Sequence, residues 1–199
     1  MTKTEIYEPK QKRSIEKKNH IIQTGLQLMV EKGYHHTTTD DIAAAAGVST
    51  GIIYRYFKDK HDILLSGLSY AFHQMYEQNL FDWNMDSSAN MRDTIEKLLD
   101  HFLTIHTENT AMHEELEAMR HSDTDVSVIY EHAETAIVRK ITEAMHQNGN
   151  QREDLFERTY AVFHLIEGYC HMYIRTLPAE LSLARMKEVT LQACCSLLE

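Results

Sequence analysis

Residues 37–60, TTTDDIAAAAGVSTGIIYRYFKDK, combine hydroxyl, phenol and basic side chains within one short stretch. A threonine hydroxyl can hydrogen-bond a base edge, and its methyl group can contact a thymine methyl. Hydroxyls and cations also bind phosphate oxygens, which sets the register of a protein on a duplex without reading its sequence. The candidate base contact is therefore Thr50, and the candidate phosphate contacts are Ser49, Tyr54, Tyr56 and Lys60.

Two short helices joined by a tight turn would position these groups. Thr38 followed by Asp41 resembles a capping box and starts a first helix over roughly residues 39–46. Gly47 supplies the turn, because the conformation needed there would penalise a Cβ atom. A second helix follows, capped by Ser49. The alanines of the first helix let the two approach closely, which predicts a helix-turn-helix whose second helix enters the DNA major groove by its N-terminal end.

The stretch from residue 33 to residue 64 resembles the N-terminal domain of the tetracycline-repressor (TetR) family of bacterial regulators. The matching features are Gly33-Tyr34, Thr37-Thr38, Ile42-Ala43, Ala46-Gly47-Val48-Ser49, Gly51, Tyr54, Tyr56-Phe57, Lys60 and the Asp62–Leu64 tail. With the preceding helix included, the resemblance covers about a third of the chain. It implies an all-α homodimer, in which each subunit has an N-terminal three-helix DNA-binding domain and a C-terminal helical ligand-binding and dimerisation domain.

The resemblance also assigns the DNA contacts. They fall on Thr38, Thr39, Ser49, Thr50, Gly51, Tyr54, Tyr56 and Lys60. Position 52 is usually small or polar in such proteins, so Ile52 departs from the pattern and either reads a thymine methyl or packs. A solvated helix face explains Arg55 as well as a DNA contact does, and packing explains Tyr56 as well as a phosphate contact does. All three residues are included in the predicted surface.

Charge is distributed unevenly along the 199 residues, whose formal net charge is −10. Residues 1–60 contain ten basic and seven acidic residues, whereas the remainder contains ten basic and 23 acidic residues. This asymmetry indicates a module for a polyanion joined to a module with another role. We predict a DNA-binding domain over residues 1–60, with its helix-turn-helix at about 38–57, and a helical effector-binding and dimerisation domain over residues 61–199.

Apolar residues recur at helical spacing along most of the chain, and no run alternates long enough to indicate a strand. We expect a mobile arm at residues 1–12, a first helix from Ser14 that ends before Gly33, and a linker, DWNMDSSAN, at residues 82–90. Further helices are expected from about residue 60 and at 89–106, 110–120, 124–147, 152–177 and 180–198.

The second domain carries aromatic and methionine residues that suit a cavity for a small ligand. Because such walls adapt to varied shapes, the predicted effector is lipophilic or aromatic, and no cofactor is expected. The candidate ligand contacts are Phe102, Met112, Met119, Tyr130, Tyr160, Phe163, His164 and Glu167. The family resemblance places the homodimer interface within residues 152–198, and a two-fold dimer reads a pseudo-palindromic operator on double-stranded DNA.

Thirteen histidines raise the question of a metal site. One predicted helix carries His164, Glu167, Cys170 and His171, and a second stripe at a spacing of four consists of His113, Glu117 and His121. Such residue types can bind zinc or another transition metal. Because no compact ligand motif is present, we expect exposed histidines or polar groups in a pocket, and no metal. A metal-responsive regulator of the same fold remains the alternative.

Other features restrict the functional class. The common catalytic motifs, including HExxH, GxSxG and the P-loop, are missing from the sequence, so an enzyme is not expected. Three cysteines without a CxxC pair fit a reducing cytoplasm. We expect no membrane span, because no apolar run is long enough, and no signal peptide, because the N-terminal residues are charged. The expected function is a cytoplasmic, ligand-responsive repressor released from its operator by its effector, and the rival is a helix-turn-helix that binds a protein partner.

Overall fold

A computed structural model describes residues 7–78, 90–108 and 110–199. All the regular secondary structure in these ranges is helical, which confirms the predicted all-α class. The helices are α1 (Lys12–Lys32), α2 (Thr39–Ala45), α3 (Thr50–Tyr56), α4 (Lys60–Gln78), α5 (Met91–Glu108), α6 (Thr110–Ser122), α7 (Thr124–Gln147), α8 (Leu155–Tyr173) and α9 (Leu183–Leu198). The first half of the predicted arm and nearly all of the predicted linker lie outside the described residues.

The helix boundaries follow local signals in the sequence closely. Helix α7 has the predicted bounds, and Gly33 ends α1 with a φ of 82° and donates its backbone N–H to the Met29 carbonyl. The start predicted at Ser14 is wrong by two residues, because α1 begins at Lys12 with Gln11 in the N-cap position. Helix α8 is about two turns shorter than predicted and α9 about one turn shorter. Ser182 caps α9 by accepting a hydrogen bond from the Arg185 backbone N–H.

Contacts between residues divide the chain into two compact units. Unit 1 is Met1–Asn79 with Glu114–Ile129, and unit 2 is Leu80–His113 with Tyr130–Glu199. Helices α6 and α7 therefore each contribute to both units. The boundary predicted at residue 60 is a division by function, which a grouping by contacts does not test.

Unit 1 places the helix-turn-helix on a two-helix support. Helix α1 packs against α4 and α2, and α2 packs against α3. Two glycines let α1 and α4 approach closely: a Cβ atom at Gly25 would lie 2.8 Å from Ile63 Cγ2, and one at Gly67 would lie 2.5 Å from Leu26 Cγ. The core of this unit consists largely of fully buried side chains, among them Ile21, Met29, Ile42, Ile53, Phe57, Ile63 and Leu64.

Unit 2 is held together by pairwise packing of α5, α8 and α9. Its core includes the buried side chains of Ile95, Leu99, Phe102, Leu155, Ile166, Leu191 and Cys194. Within the described ranges, every helix is either too short or too polar to cross a membrane.

Candidate nucleic-acid interface

The helix-turn-helix begins with a capping box at Thr38. The Thr38 hydroxyl accepts a hydrogen bond from the Asp41 backbone N–H at 3.1 Å, and the Thr38 backbone N–H donates to Asp41 Oδ2 at 3.0 Å. The capping box thus gives hydrogen-bond acceptors to the backbone N–H groups of Thr38 and Asp41 at the start of α2. The Thr38 side chain also donates to Asp41 Oδ2, and this bond is the largest cause of the lowered pKa of Asp41. Thr38, a predicted DNA contact, is thus engaged in starting the helix.

A Schellman turn ends α2 and sets the direction of α3. Gly47 has a φ of 64°, in the left-handed region where a Cβ atom is penalised. The Val48 N–H donates to the Ala43 carbonyl at 3.0 Å, and the Gly47 N–H donates to the Ala44 carbonyl at 3.2 Å. These two bonds define the motif. The turn predicted at Gly47 therefore has the expected conformation.

The N-terminal end of α3 carries two of the predicted DNA contacts, Ser49 and Thr50. Ser49 occupies the N-cap position with an exposed side chain that makes no hydrogen bond to the helix backbone. The half-buried Thr50 donates its hydroxyl to Asp40 Oδ1 at 2.7 Å. Asp40 is exposed, so it places a carboxylate beside the predicted base-reading hydroxyl. This hydrogen bond joins residues ten positions apart in the chain, so local spacing in the sequence does not reveal it.

Gly51 has no structural reason within the folded chain to be glycine. A Cβ atom built there would meet only Ser49 Oγ, at 3.9 Å, and the residue is exposed with an ordinary helical backbone. Glycine also lowers helix stability relative to alanine. A residue without a side chain at this exposed end of α3 leaves room for a large partner to approach the backbone.

Three residues farther along α3 behave differently from one another. Tyr54 is 50% exposed, and Ile52 is half-buried. Arg55 is exposed but is also held by the arm, because its guanidinium lies 4.4 Å from the centre of the Tyr7 ring. The Tyr7 N–H donates to the Arg55 carbonyl at 3.0 Å. The predicted mobile arm is therefore anchored to α3 at Tyr7, which the sequence analysis missed.

Tyr56 packs in the interior. Its side chain is only 3% exposed, and its ring centre lies 6.0 Å from that of Tyr7 and 6.4 Å from that of Phe57. Of the two explanations left open by the sequence, the structure favours packing. A phosphate contact by the Tyr56 hydroxyl stays a prediction that this burial weakens.

Lys60 makes contacts within unit 1 that its predicted phosphate role did not anticipate. Its ammonium donates to the carbonyl oxygens of Tyr34 at 2.7 Å and Thr37 at 2.9 Å. It also lies 4.3 Å from the centre of the Tyr34 ring, within cation–π range. Lys60 therefore ties the connection between α1 and α2 to the start of α4. A phosphate contact by this side chain remains a prediction that would compete with these bonds.

The predicted effector contacts differ widely in solvent exposure, from buried to exposed. Phe102 and Phe163 pack edge to face in unit 2 with ring centres 5.6 Å apart, and Tyr130 is buried. Tyr160 and His164 are exposed and contact each other. Met119 is buried and belongs to the unit 1 segment, Glu167 is half-buried, and the side chain of Met112 lies outside what the structure describes.

A small cavity lies among the core residues of unit 2. Residues from four helices line it, including Ile95, Leu98, Ile141, Val162 and Phe163. Its volume is about 20 Å³, enough for about one water molecule. Ligand pockets are on the order of 300–1,000 Å³. Of the predicted effector contacts, Phe163 borders this cavity, and a drug-sized guest would have to separate the surrounding helices.

The histidine stripes predicted along single helices are regrouped by the fold. His164 is exposed, and Cys170 is buried with a pKa that burial raises to about 12. His171 instead lies close to His106 of α5 and His113 of α6. Burial is the largest cause lowering the pKa of His113 to about 4. His106 was missed because periodicity groups residues of one helix and not of three.

Comparison with known proteins identifies relatives of the N-terminal region. Residues 21–66 match the family model described as bacterial regulatory proteins, tetR family. The HTH-type transcriptional regulator HbdR of Aromatoleum sp. (strain CIB) is 45% identical over 65 residues, which are 33% of this chain and 28% of HbdR. The fatty acid metabolism regulator protein of Bacillus subtilis (strain 168) is 47% identical over 57 residues, 29% of this chain and 28% of that protein. The similarity thus spans less than a third of each relative.

Solved structures resemble the chain over most of its length. The fatty acid degradation regulator FadR from Bacillus halodurans superposes with a TM-score of 0.63 at 18% identity, covering 94% of this chain and 96% of FadR. FadR from Bacillus subtilis in complex with stearoyl-CoA superposes with a TM-score of 0.58 at 21% identity, covering 91% of this chain and 99% of FadR. At these identities the likeness shows a shared fold.

Proposed function

Because the chain belongs to the tetR family of bacterial regulatory proteins, as the match of residues 21–66 shows, we propose that it regulates transcription by binding double-stranded DNA through α3. The observation that carries the proposal is the N-terminal end of α3, where Ser49, Thr50 and the unhindered Gly51 lie together. These are the groups that hydrogen-bond phosphates and base edges. The same family membership supports a regulator rather than an enzyme, acting in the cytoplasm.

The proposed active form is a homodimer through residues 152–198. Among the described residues, nine large hydrophobic side chains are exposed, and five of them lie in that range. They are Tyr160, Leu165, Tyr173, Leu181 and Val189. Their concentration in this part of the sequence supports the proposed interface, because exposed apolar side chains are candidates for burial against another protein. A two-fold dimer would place two copies of α3 on successive major grooves of a pseudo-palindromic operator.

The proposed effector is a lipophilic small molecule that releases a repressor from this operator. A B. subtilis relative carries fatty acid metabolism in its name, and a structure of the same fold was solved with stearoyl-CoA. The aromatic pair Phe102 and Phe163 offers an apolar wall in unit 2. Because the cavity beside Phe163 holds only about one water molecule, the effector must stabilise a more open state of this unit. Such a ligand shifts the population between two states by its differential affinity.

Duplex binding at two salt concentrations tests the proposal. A fluorescently labelled pool of random-sequence duplexes is titrated with the protein at about 50 mM and about 200 mM salt. Phosphate contacts release counterions, so the affinity should fall steeply between the two concentrations. A folded protein that binds no duplex at the lower salt concentration would overturn the proposal and favour a helix-turn-helix that binds a protein partner. Addition of stearoyl-CoA to the bound complex then tests the effector class separately.

A further inference from the structure

Four potential metal ligands from three helices converge inside unit 2. His106 lies near the C-terminal end of α5, His113 in the first turn of α6, and Glu167 and His171 one turn apart on α8. One nitrogen from each histidine lies within 4.8 Å of one from each of the others. Glu167 Oε2 lies 3.3 Å from His106 Nε2 and 3.8 Å from His171 Nε2. Three imidazoles and one carboxylate therefore surround one small space.

The hydrogen bond made by His106 determines which of its nitrogens faces that space. His106 Nδ1 lies 2.8 Å from the Phe102 carbonyl oxygen, which can only accept, so Nδ1 carries the proton. In the neutral ring Nε2 then has a lone pair, and this atom points at the Glu167 carboxylate. A histidine that donates its other N–H to a backbone carbonyl is the usual arrangement of a metal ligand.

His106 Nε2 and Glu167 Oε2 would then be two hydrogen-bond acceptors only 3.3 Å apart. Such a pair is repulsive unless a positive charge lies between the two atoms. That charge is either a second proton on His106 or a cation bound between the two groups. His113 favours the cation, because its Nε2 is buried and finds no hydrogen-bond partner among the described residues. A proton on His106 would leave His113 Nε2 without a partner, whereas a metal ion could bind both nitrogens.

The donor set and its spacing suit a transition metal. Zinc binds histidine nitrogen at about 2.0–2.1 Å in a tetrahedron, so its ligand atoms lie about 3.3 Å apart. The His106–Glu167 separation already equals that distance. The widest separation among the histidine nitrogens, at most 4.8 Å, has to close by about 1.5 Å, which small rotations of the half-buried His113 and His171 side chains would achieve.

Unit 1 contains a second group of possible metal ligands, but its central carboxylate already has hydrogen-bond partners. His61, Asp123 and Asp125 also lie close together. There, Asp123 Oδ1 accepts from the backbone N–H groups of Asp125 and Val126, and Asp123 Oδ2 pairs with His61 at 2.8 Å. Asp123 thus caps α7, and its carboxylate is already used.

We propose that His106, His113, His171 and Glu167 bind one divalent first-row transition metal ion per chain, of which zinc is the representative. Imidazole nitrogen suits zinc, cobalt and nickel, and a carboxylate completes a four-coordinate shell. The ion would join α5, α6 and α8 within unit 2. The proposal does not depend on DNA binding, because the site and its test involve this protein alone.

Cobalt is the probe, because its visible absorption reports tetrahedral coordination. The 199-residue chain, carrying no polyhistidine tag, is treated with a chelator, dialysed and titrated with Co²⁺. Zinc is then added in competition. The expected result is one Co²⁺ per chain with the intense absorption of a tetrahedral site, displaced by one equivalent of zinc. Binding of less than one ion per chain, or an octahedral spectrum only, would overturn the proposal and leave a protonated His106–Glu167 ion pair.

Variants locate the site. His113→Gln and Glu167→Gln should each weaken Co²⁺ affinity by at least about tenfold, because each removes one ligand. The matched control is His164→Gln, an exposed histidine on the same helix as Glu167 that should leave the affinity unchanged. Circular dichroism confirms that each variant is folded, and Glu167→Gln, a near-isosteric change, serves if His113→Gln does not fold. Equal affinity in the wild type and in a folded Glu167→Gln variant would contradict the assignment.

Discussion

The Lys60 ammonium donates a hydrogen bond to the Tyr34 carbonyl oxygen at 2.7 Å while lying 4.3 Å from the centre of the same residue's ring. The same ammonium also donates to the Thr37 carbonyl oxygen at 2.9 Å, so it binds the α1–α2 connection at two points. Lys60 thus stabilises the segment that leads into the helix-turn-helix. A lysine expected to bind phosphate has a structural role in the free protein.

Replacing Lys60 with methionine should therefore lower stability. Hydrogen bonds to charged groups contribute about 1.5–3 kcal/mol, and the half-buried position of Lys60 places the expected loss at about 1–3 kcal/mol. Urea unfolding measures the change, with Lys58→Met, at an exposed neighbouring lysine, as the control. If Lys60→Met is as stable as Lys58→Met but loses duplex affinity, the side chain acts on phosphate and not on the fold.

Two glycines of the helix-turn-helix should respond to alanine in opposite ways. Gly47→Ala should destabilise the protein by about 1–2 kcal/mol, because its φ of 64° is left-handed. Gly51→Ala should leave stability unchanged or raise it, since a Cβ atom there meets only Ser49 Oγ at 3.9 Å. Its effect should appear in duplex affinity instead. Unfolding curves and duplex titrations on both variants check this, and a Gly51→Ala variant with wild-type affinity would argue against close approach of DNA at α3.

A charge on the exposed apolar surface of α9 should prevent dimerisation. Val189 is 56% exposed, so Val189→Glu should disrupt the proposed interface without disturbing the core of the monomer. Leu191, by contrast, is 1% exposed, and a charge there would unfold the protein. Light scattering should give a monomer mass for Val189→Glu. The matched control, Val128→Glu on α7 at 41% exposure, should remain a dimer, and a dimer in both cases would place the interface elsewhere.

The capping box should be visible in the titration of Asp41. Its pKa is lowered chiefly by the hydrogen bond from the Thr38 side chain. Thr38→Val should therefore raise the pKa of Asp41, although the Thr38 backbone N–H still donates to the same carboxylate. Carboxyl NMR titration measures the pKa, and Thr38→Ser, which retains the hydroxyl, should behave as the wild type.

The sign of the linked stability follows from that direction. Because the folded state holds the pKa of Asp41 below its unfolded value, the box stabilises the protein at pH values above the unfolded pKa of about 3.9. This contribution is lost as the pH falls through the folded pKa. An Asp41 pKa that is the same in the wild type and Thr38→Val would contradict the assigned role of the hydroxyl.

Local signals allowed the helix-turn-helix to be predicted from the sequence. A capping pair three residues apart, a glycine at the turn and a serine before α3 act within one turn of the chain, so their spacing reveals them. Burial of Tyr56 was not predictable in this way, because it depends on Tyr7, which joins from a segment about 50 residues away. The spacing between residues on one helix says nothing about such partners.

The proposed metal ligands show the same limit of prediction from spacing along one helix. Glu167 and His171 are four residues apart on α8 and were recognised as neighbours, but His164, grouped with them by periodicity, turned out to be exposed. The residues that complete the cluster, His106 and His113, come from two other helices. Only the tertiary packing of α5, α6 and α8 brings these side chains together.

The central claim is that a dimer of this chain reads DNA through α3, and selection from a random-sequence duplex pool tests it most directly. The wild type should enrich an inverted repeat whose half-sites lie about one helical turn or more apart. Thr50→Ala, which removes the hydroxyl now bonded to Asp40, should change the preferred base at one step in each half-site, while the exposed-surface variant Val128→Glu should select the wild-type repeat. Enrichment of no common sequence by the folded wild-type dimer, or of the same sequence by Thr50→Ala, would contradict the account.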